Sequence, residues 1–296
     1  MNSYQYITQY PERTISILGL TFEQFNEIAQ RAIEQDLKQR AEQEKEQKRV
    51  NKKGAGRPKS LSSIEAICLT LFYLKQTSTF EVLGMQFDIA KTTANDCFHY
   101  WLKILRELLP ASLLEEAQSE LSMTELKAEI EPQELLVDSF EQGRSRPLDN
   151  EEQAQYFSRK KARHTFKTQV ISLPEAADIV DVLTAERGPE ADITLMRSCL
   201  PKFSENQRFV GDKAYGGEAQ ILTPKKKPRG GRLTSEEKAH NRTLSQRRIY
   251  VEHLIRRVKI FRIASEKFRL RANSYQITIL TVCGLTRLRI GTLKFA

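Results

Sequence analysis

Apolar residues recur in two rhythms along this chain, and the change of rhythm divides it. From Thr21, with Gln24 three residues on as in a capping box, Phe22, Phe25, Ile28, Ala29, Ala32 and Ile33 fall on one face of a predicted helix, whereas residues 1–20 are irregular by pattern. Past Leu37 the apolar face vanishes into KQRAEQEKEQKRVNKK, residues 38–53, a solvated helix or a linker, which Gly54-Ala-Gly-Arg-Pro58 breaks. Three further helices are predicted at residues 61–76, 79–86 and 91–108, each with apolar positions at three- and four-residue steps. A polar, acid-rich connection covers 111–133. Beyond it, short β-rich runs appear: Glu134-Leu-Leu-Val-Asp138, residues 164–173 with 178–184 as a hairpin partner, Arg208-Phe-Val-Gly-Asp212 and Ile221-Leu-Thr. They alternate with helices at 192–200, around 248–260 and at 271–290. This order predicts an all-α N-terminal part followed by an α/β domain with a mixed sheet.

Composition narrows the class. The chain has 296 residues, 40% hydrophobic and 29% charged, ordinary for a globular protein. No leader pattern and no uncharged apolar run of about 18 residues is visible, so a soluble, intracellular, cytoplasmic protein is expected, with no membrane partner. The cysteines, Cys68, Cys97, Cys199 and Cys283, form no CxxC pair; Cys68 and Cys283 read as small core residues. The net charge of +9 is modest but clustered, which points to a polyanionic partner, nucleic acid first. Residues 159–167 and 225–232 each hold five Lys or Arg and no acid; the second is equally readable as a solvated loop.

Candidate chemistry lies in three blocks. Between Arg242 and Arg262 there are seven cations and a single acid, Glu252, on a helix whose apolar face is Ile249, Val251, Leu254, Ile255, Val258 and Ile260. Asp138 and Asp212 each follow an apolar strand of four or five residues, where ligands gather in α/β sheets. Two Asp and one Glu are hard oxygen ligands suited to Mg²⁺, although strand-end turn residues give the same pattern. In the helical part, a short helix, a tight turn and a longer helix opening Lys91-Thr-Thr-Ala-Asn95 form a helix-turn-helix pattern, with Lys91, Thr92, Asn95 and His99 as exposed readers. A plain three-helix bundle would look similar. Trp101 reads as core.

Taken together, the local motifs resemble the DDE transposases of bacterial insertion sequences, the insertion-sequence-five group and its relatives. Leu135-Leu-Val-Asp-Ser-Phe-Glu141 with Arg146-Pro147 is similar to the family's first-Asp strand. Gln155-Tyr-Phe-Ser-Arg-Lys-Lys-Ala-Arg-His-Thr-Phe-Lys-Thr-Gln169 is similar to its Tyr-Tyr-Ser-Gly-Lys-Lys-x-x-His-Thr-x-Lys segment. Val210-Gly-Asp-Lys-Ala-Tyr-Gly-Gly217 is similar to the second-Asp block, and Arg248, Glu252 and Lys259 fit Arg-x3-Glu-x6-Lys. Departures are Arg159 and Ala214 where Gly is usual, Ser245 where related groups place Tyr, and no His before Asp192. The resemblance spans about residues 61–290.

The resemblance implies an RNase-H-like mixed sheet flanked by helices, preceded by an all-α helix-turn-helix domain. It implies Asp138, Asp212 and Glu252 as catalytic residues holding two Mg²⁺ (or Mn²⁺) ions, with cleavage at terminal inverted repeats and strand transfer into double-stranded target DNA by a homodimer. Arg248, Lys259, Lys160, Lys161, His164 and Lys167 would join Lys91, Thr92 and Asn95 as DNA-binding residues; a structural role is the plainer reading for His164. The expected domains are 1–57 (helix and charged linker), 58–112 (helix-turn-helix), 113–133 (connector) and 134–296 (catalytic). A helix-turn-helix binder that does not cut, and an RNase-H-like nuclease that cuts without joining, are the rival readings.

Overall fold

The computed structural model describes residues 1–46, 60–117 and 120–294. The expected Gly54–Pro58 break, the boundary at residues 57 and 58, and the end of the charged stretch lie outside the described residues. The chain forms two units: Met1–Leu109 with Phe261–Ile263, and Pro110–Ile260 with Ala264–Ala296.

The first unit is helical: α1 (Ser3–Gln9), α2 (Thr14–Leu18), α3 (Phe22–Glu46), α4 (Ser63–Gln76), α5 (Phe80–Phe87) and α6 (Lys91–Leu108). Residues 1–20, expected to be irregular, instead form α1 and α2. Each is too short for its apolar residues to repeat, and α1 is held by a reciprocal Asn2–Gln5 capping box and by Asn2 donating to Glu65 of α4. The Thr21–Gln24 capping pair starts α3 as expected, and α3 continues through the first part of the charged stretch. Phe25, Ile28, Ile67, Leu71, Leu83, Phe98, Trp101 and Leu105 form the buried centre. Between α5 and α6, Asp88 adopts a left-handed conformation at φ 52°, and a Cβ on Gly84 would stand 2.6 Å from the Ile89 carbonyl. A glycine is therefore what lets the turn fold back so closely on α5.

The second unit contains α7 (Leu113–Glu116), α8 (Glu120–Ile130), β1 (Glu134–Gly143), α9 (Asn150–Tyr156), β2 (Phe157–Ser158), β3 (Arg163–Ser172), β4 (Ile179–Arg187), α10 (Asp192–Cys199), β5 (Arg208–Val210), β6 (Ile221–Leu222), α11 (Ser235–Lys259) and α12 (Tyr275–Ile290). Six strands make one mixed sheet in the order β2-β3-β1-β5-β6, with β4 also on β3. Strand β3 runs antiparallel to β1, β2 and β4, whereas β1, β5 and β6 are parallel. This is the RNase-H-like arrangement, and the expected 164–173 and 178–184 hairpin is β3 with β4.

Alternation along β1 assigns its two faces. Leu135 and Val137 join Ile171, Val180, Met196, Phe203 and Phe209 in a core that α10 covers. On the other face the Lys259 ammonium at the end of α11 lies 4.7 Å from the centre of the Phe140 ring, and α11 packs along β1 while α12 packs on β4. One expectation needs correcting: β1 does not stop at Asp138. Its parallel pairing with β5 ends at Leu136, but its antiparallel pairing with β3 carries it to Gly143, so Asp138 is a mid-strand residue.

A fully buried arginine ties the far ends of this unit together. Arg287 of α12 donates from Nε and Nη2 to the two carboxylate oxygens of Asp178 at 2.9 and 2.8 Å, to Glu116 at 2.6 Å and to the Pro110 carbonyl at 3.1 Å. Asp178 also accepts from Thr292 and from the Ile179 amide. Replacing Arg287 with Met would strand the buried Asp178 carboxylate without a counter-charge. The expected cost is about 3–5 kcal/mol, read as a lower denaturant midpoint with an unchanged slope.

Candidate active site

The register of the parallel strands places the two aspartates. Leu136 pairs with Val210, and Asp138 and Asp212 each lie two residues further on, so both follow from the same rung of the ladder. After Val210 the chain leaves the sheet: Asp212 caps a 3-10 turn over Lys213–Tyr215, its Oδ1 accepting from the Ala214 amide at 2.7 Å. The residue between them, Gly211, has no room for a side chain, because a Cβ there would meet the buried Tyr215 ring at 2.9 Å. In β1, Asp138 Oδ1 accepts from its neighbour's amide, Ser139 N, at 2.9 Å.

The third carboxylate comes from α11. This helix begins with a Thr234–Glu237 capping box, with Glu236 and Glu237 in its first turn, and ends with Arg256, Arg257 and Lys259, matching the helix dipole at both ends. Val251, Leu254, Ile255 and Val258 are its buried stripe, as expected, whereas Ile249 is 45% exposed. Glu252 stands at the stripe's edge. Arg248, four residues before it, and Lys259, seven after, lie within about 40° of it around the helix. Arg248 Nη2 is 3.6 Å from Glu252 Oε1, and Arg248 Nε is buried with no hydrogen-bond partner among the described residues.

The titration of Asp138 registers the company it keeps. Its carboxyl is raised to about 6, chiefly by burial and further by Asp212 and Glu252, against the opposing pull of the Ser139 amide and Arg248. The structure thus brings Asp138, Asp212, Glu252 and Arg248 into one electrostatic neighbourhood. Among the described residues no three His, Cys, Asp or Glu side chains form a ready-made metal cage. The donor set nonetheless suits a divalent cation, since these are hard oxygens whose mutual repulsion a cation would relieve.

Beside the carboxylates is a cleft of about 650 Å³ lined by Ser139, Phe140, Lys161, Lys167, Asp192 and Lys259, with Arg159 and Lys160 also on its wall. Lys160 and Lys161 are exposed. Lys259 has its ammonium pKa lowered by burial and then by Lys161, with Asp138 opposing. Lys167 is placed differently from its cationic neighbours: it is buried and donates to Asp192 Oδ1 at 3.1 Å and to the Glu190 carbonyl. His164 packs edge-on against Phe157 in an adjoining hollow with Arg146 and Arg159, its pKa lowered by burial and by Arg146 and Arg144. In the first unit, Lys91 and Thr92 are exposed at the start of α6 and Asn95 is half-buried, as is His99, whose ring packs on Phe98.

Sequence reasoning did not find the Ser139–Asp192–Lys167 link, in which Ser139 Oγ donates to Asp192 Oδ1 at 2.5 Å and ties the residue after Asp138 to the start of α10. The only available signal was Asp192 at the head of a predicted helix, and helix heads are commonly acidic for local reasons.

A family model described as "DDE superfamily endonuclease" matches residues 137–287. The chain belongs to this family. A second model, "Helix-turn-helix of DDE superfamily endonuclease", matches residues 59–111 of this DDE protein. It is also 29% identical over 238 residues to a protein from Microchaete diplosiphon named "Probable transposase for insertion sequence element IS702", covering 79% of this chain and 83% of the relative. No solved structure matches. The resemblance to insertion-sequence DDE transposases is thus borne out, and with it a nuclease-type enzyme with a DNA-binding helix-turn-helix. Among the described residues no helix is long and apolar enough to cross a membrane.

The raised pKa of Asp138 has a consequence for stability. A carboxyl whose folded pKa lies above its ordinary 3.8 holds its proton more tightly folded than unfolded. Ionised Asp138 therefore costs stability above about pH 6, and the cost fades as pH falls toward 4. Without divalent cations, Asp138→Asn is expected to stabilise the protein by about 3 kcal/mol at pH 8, the gain disappearing near pH 4. Thermal denaturation across that range measures it.

Proposed function

We propose that this DDE protein is a transposase that binds the terminal inverted repeats of an insertion sequence, cleaves there and joins the freed ends to double-stranded target DNA. The observation that carries the reading is the coupling of Asp138 to Asp212, Glu252 and Arg248 at the edge of a cation-lined cleft. Asp138, Asp212 and Glu252 would hold two Mg²⁺ or Mn²⁺ ions, which when bound stabilise charge on the attacking and leaving oxygens of an in-line phosphoryl displacement. The chain's own residues then have separate tasks. Arg248 orients the Glu252 carboxylate through the contact of its Nη2 with Oε1 across one helical turn. Burial and Lys161 disfavour the charge on Lys259, and a phosphate group beside these two cations relieves it. Lys160 and His164 extend that cationic wall, and Lys167 fixes its floor through Asp192 and offers its remaining donor capacity to the DNA backbone. Lys91, Thr92 and Asn95 would read base edges and phosphates from the head of α6. Two element ends must be joined, so two copies are expected to act together on DNA.

Asp138→Asn, Asp212→Asn and Glu252→Gln are each expected to lower divalent-dependent nicking at the repeats by more than about 100-fold while leaving duplex binding intact, since loss of an outer-shell partner alone costs about 10–100-fold. Cleavage at wild-type rate by any one of them would sink the assignment. Efficient nicking without joining in a strand-transfer assay would instead favour a nuclease. Binding should also be strongly salt-dependent: with about 6–10 phosphates contacted, affinity falls roughly 10³–10⁵-fold between about 50 and 200 mM salt. A flat profile from titrations at several salt concentrations would argue against the cationic wall as the DNA surface.

A further inference from the structure

Away from the carboxylates, the most cationic exposed segment of the second unit is the loop between β6 and α11. From 225 to 232 it carries Lys225, Lys226, Lys227, Arg229 and Arg232 and no acid, and residues 225–230 are all exposed. Such a run repels itself and by itself would spread into solvent. Here its base is fixed. Asn241, in the second turn of α11, accepts from the Lys225 amide through Oδ1 at 2.8 Å and donates from Nδ2 to the Lys225 carbonyl at 3.1 Å. One side-chain amide thus takes both backbone groups of a single loop residue, as a neighbouring strand would. Lys225 Nζ also reaches Glu237 at 3.4 Å, and Glu237 is itself held by the Thr234 capping box. At the tip, Gly230 turns the chain at φ 78° and the Gly231 amide donates to the Pro228 carbonyl at 3.1 Å.

This is an unusual use of an asparagine. The helix does not need it, and the two bonds fix only the backbone from which the cations project. Lys238 and Arg242, three before and one after Asn241, are both exposed on the same stretch of helix and extend the positive surface. Of the two nearby acids, Glu237 is committed to the cap and to Lys225, and the exposed Glu236 leaves the patch strongly positive. Residues 225–232 contain no aromatic ring to stack on a base, and their side chains offer only the cations that phosphates take. That chemistry suits a sequence-independent grip on phosphates rather than base readout.

We infer that the 225–232 loop is a clamp for the phosphate backbone of duplex DNA, and that Asn241 is the positioning residue that holds it in shape. The inference rests on the DNA reading above, and the experiment separates the two. Full-length protein is titrated with duplex DNA at several salt concentrations as wild type, as Lys226→Ala/Lys227→Ala/Arg229→Ala and as Asn241→Ala. At a slope of about 0.9 per phosphate, the triple variant should flatten the log–log salt dependence by about 2.7. Asn241→Ala leaves the charge untouched, so its expected flattening, by about 1 for one lost contact, reports positioning alone. Trypsin should also cut between Lys225 and Arg232 sooner in Asn241→Ala than in wild type. A wild-type slope in the triple variant, with DNA binding retained, overturns the clamp. A flattened slope in the triple variant but wild-type slope and trypsin resistance in Asn241→Ala overturns the role of Asn241. A wild-type protein that binds no DNA overturns the earlier reading itself.

Discussion

The pairing of Leu136 with Val210 decides where two of the three acids can be. In a parallel ladder, residues an equal number of steps past one rung stay neighbours, and residues two steps past it return to the same face. Asp138 continues along β1, whereas Asp212 stands two residues past the same rung where the chain turns out of the sheet, so a one-residue slip of β5 would shift the point from which Asp212 departs. The rest of the second unit can be understood as protecting this rung. The antiparallel pairing with β3 holds β1 rigid beyond the point where β5 has left, and Tyr215 packed on Gly211 fixes the path by which Asp212 departs. The Ser139–Asp192–Lys167 link pins the next residue of β1 from the other face.

The same placement creates two electrostatic debts of opposite sign within one site. Burial and two neighbouring carboxylates disfavour the charge on Asp138, and Arg248 only partly offsets them. About three turns along α11 from Arg248, burial and Lys161 disfavour the charge on Lys259. A polymer of phosphates carrying divalent cations relieves both mismatches together, whereas a neutral ligand would relieve neither. Each mismatch opposes folding while the charged form is held, so any ligand that relieves it also stabilises the fold.

Much of this was legible in advance because it depends on period and spacing. The β3–β4 hairpin, the limits of α6 and the stripe of α11 follow from side chains repeating every two or every three to four residues. The Arg248–Glu252–Lys259 spacing survives folding because a helix converts spacing directly into direction. What could not be read had no period. Helices α1 and α2 contribute a single buried aliphatic residue each, Ile7 and Leu18, too few to repeat. The continuation of β1 past Asp138 through Ser139, Glu141 and Gln142 looks like a loop by composition, and only the partner strand β3 makes it a strand. Asn241 carries no local mark, and Asp192 only its place at a helix head; their partners are 16 residues or more away.

Lys167 shows why charge alone is a poor guide to function even inside the correct motif. Residues 159–167 carry five cations, but the strand that begins at Arg163 alternates its side chains between two surroundings and draws its later residues beneath the sheet's other elements. Arg159, Lys160 and Lys161 precede the strand and stay exposed, whereas Lys167 is carried under the loop that follows β4 and meets Asp192. A buried ammonium must be paired, and the pairing makes it a strut first. Its reach toward DNA is then limited to what the cleft exposes, and Lys161, exposed and with no carboxylate ion pair among the described residues, is better placed to move onto a phosphate.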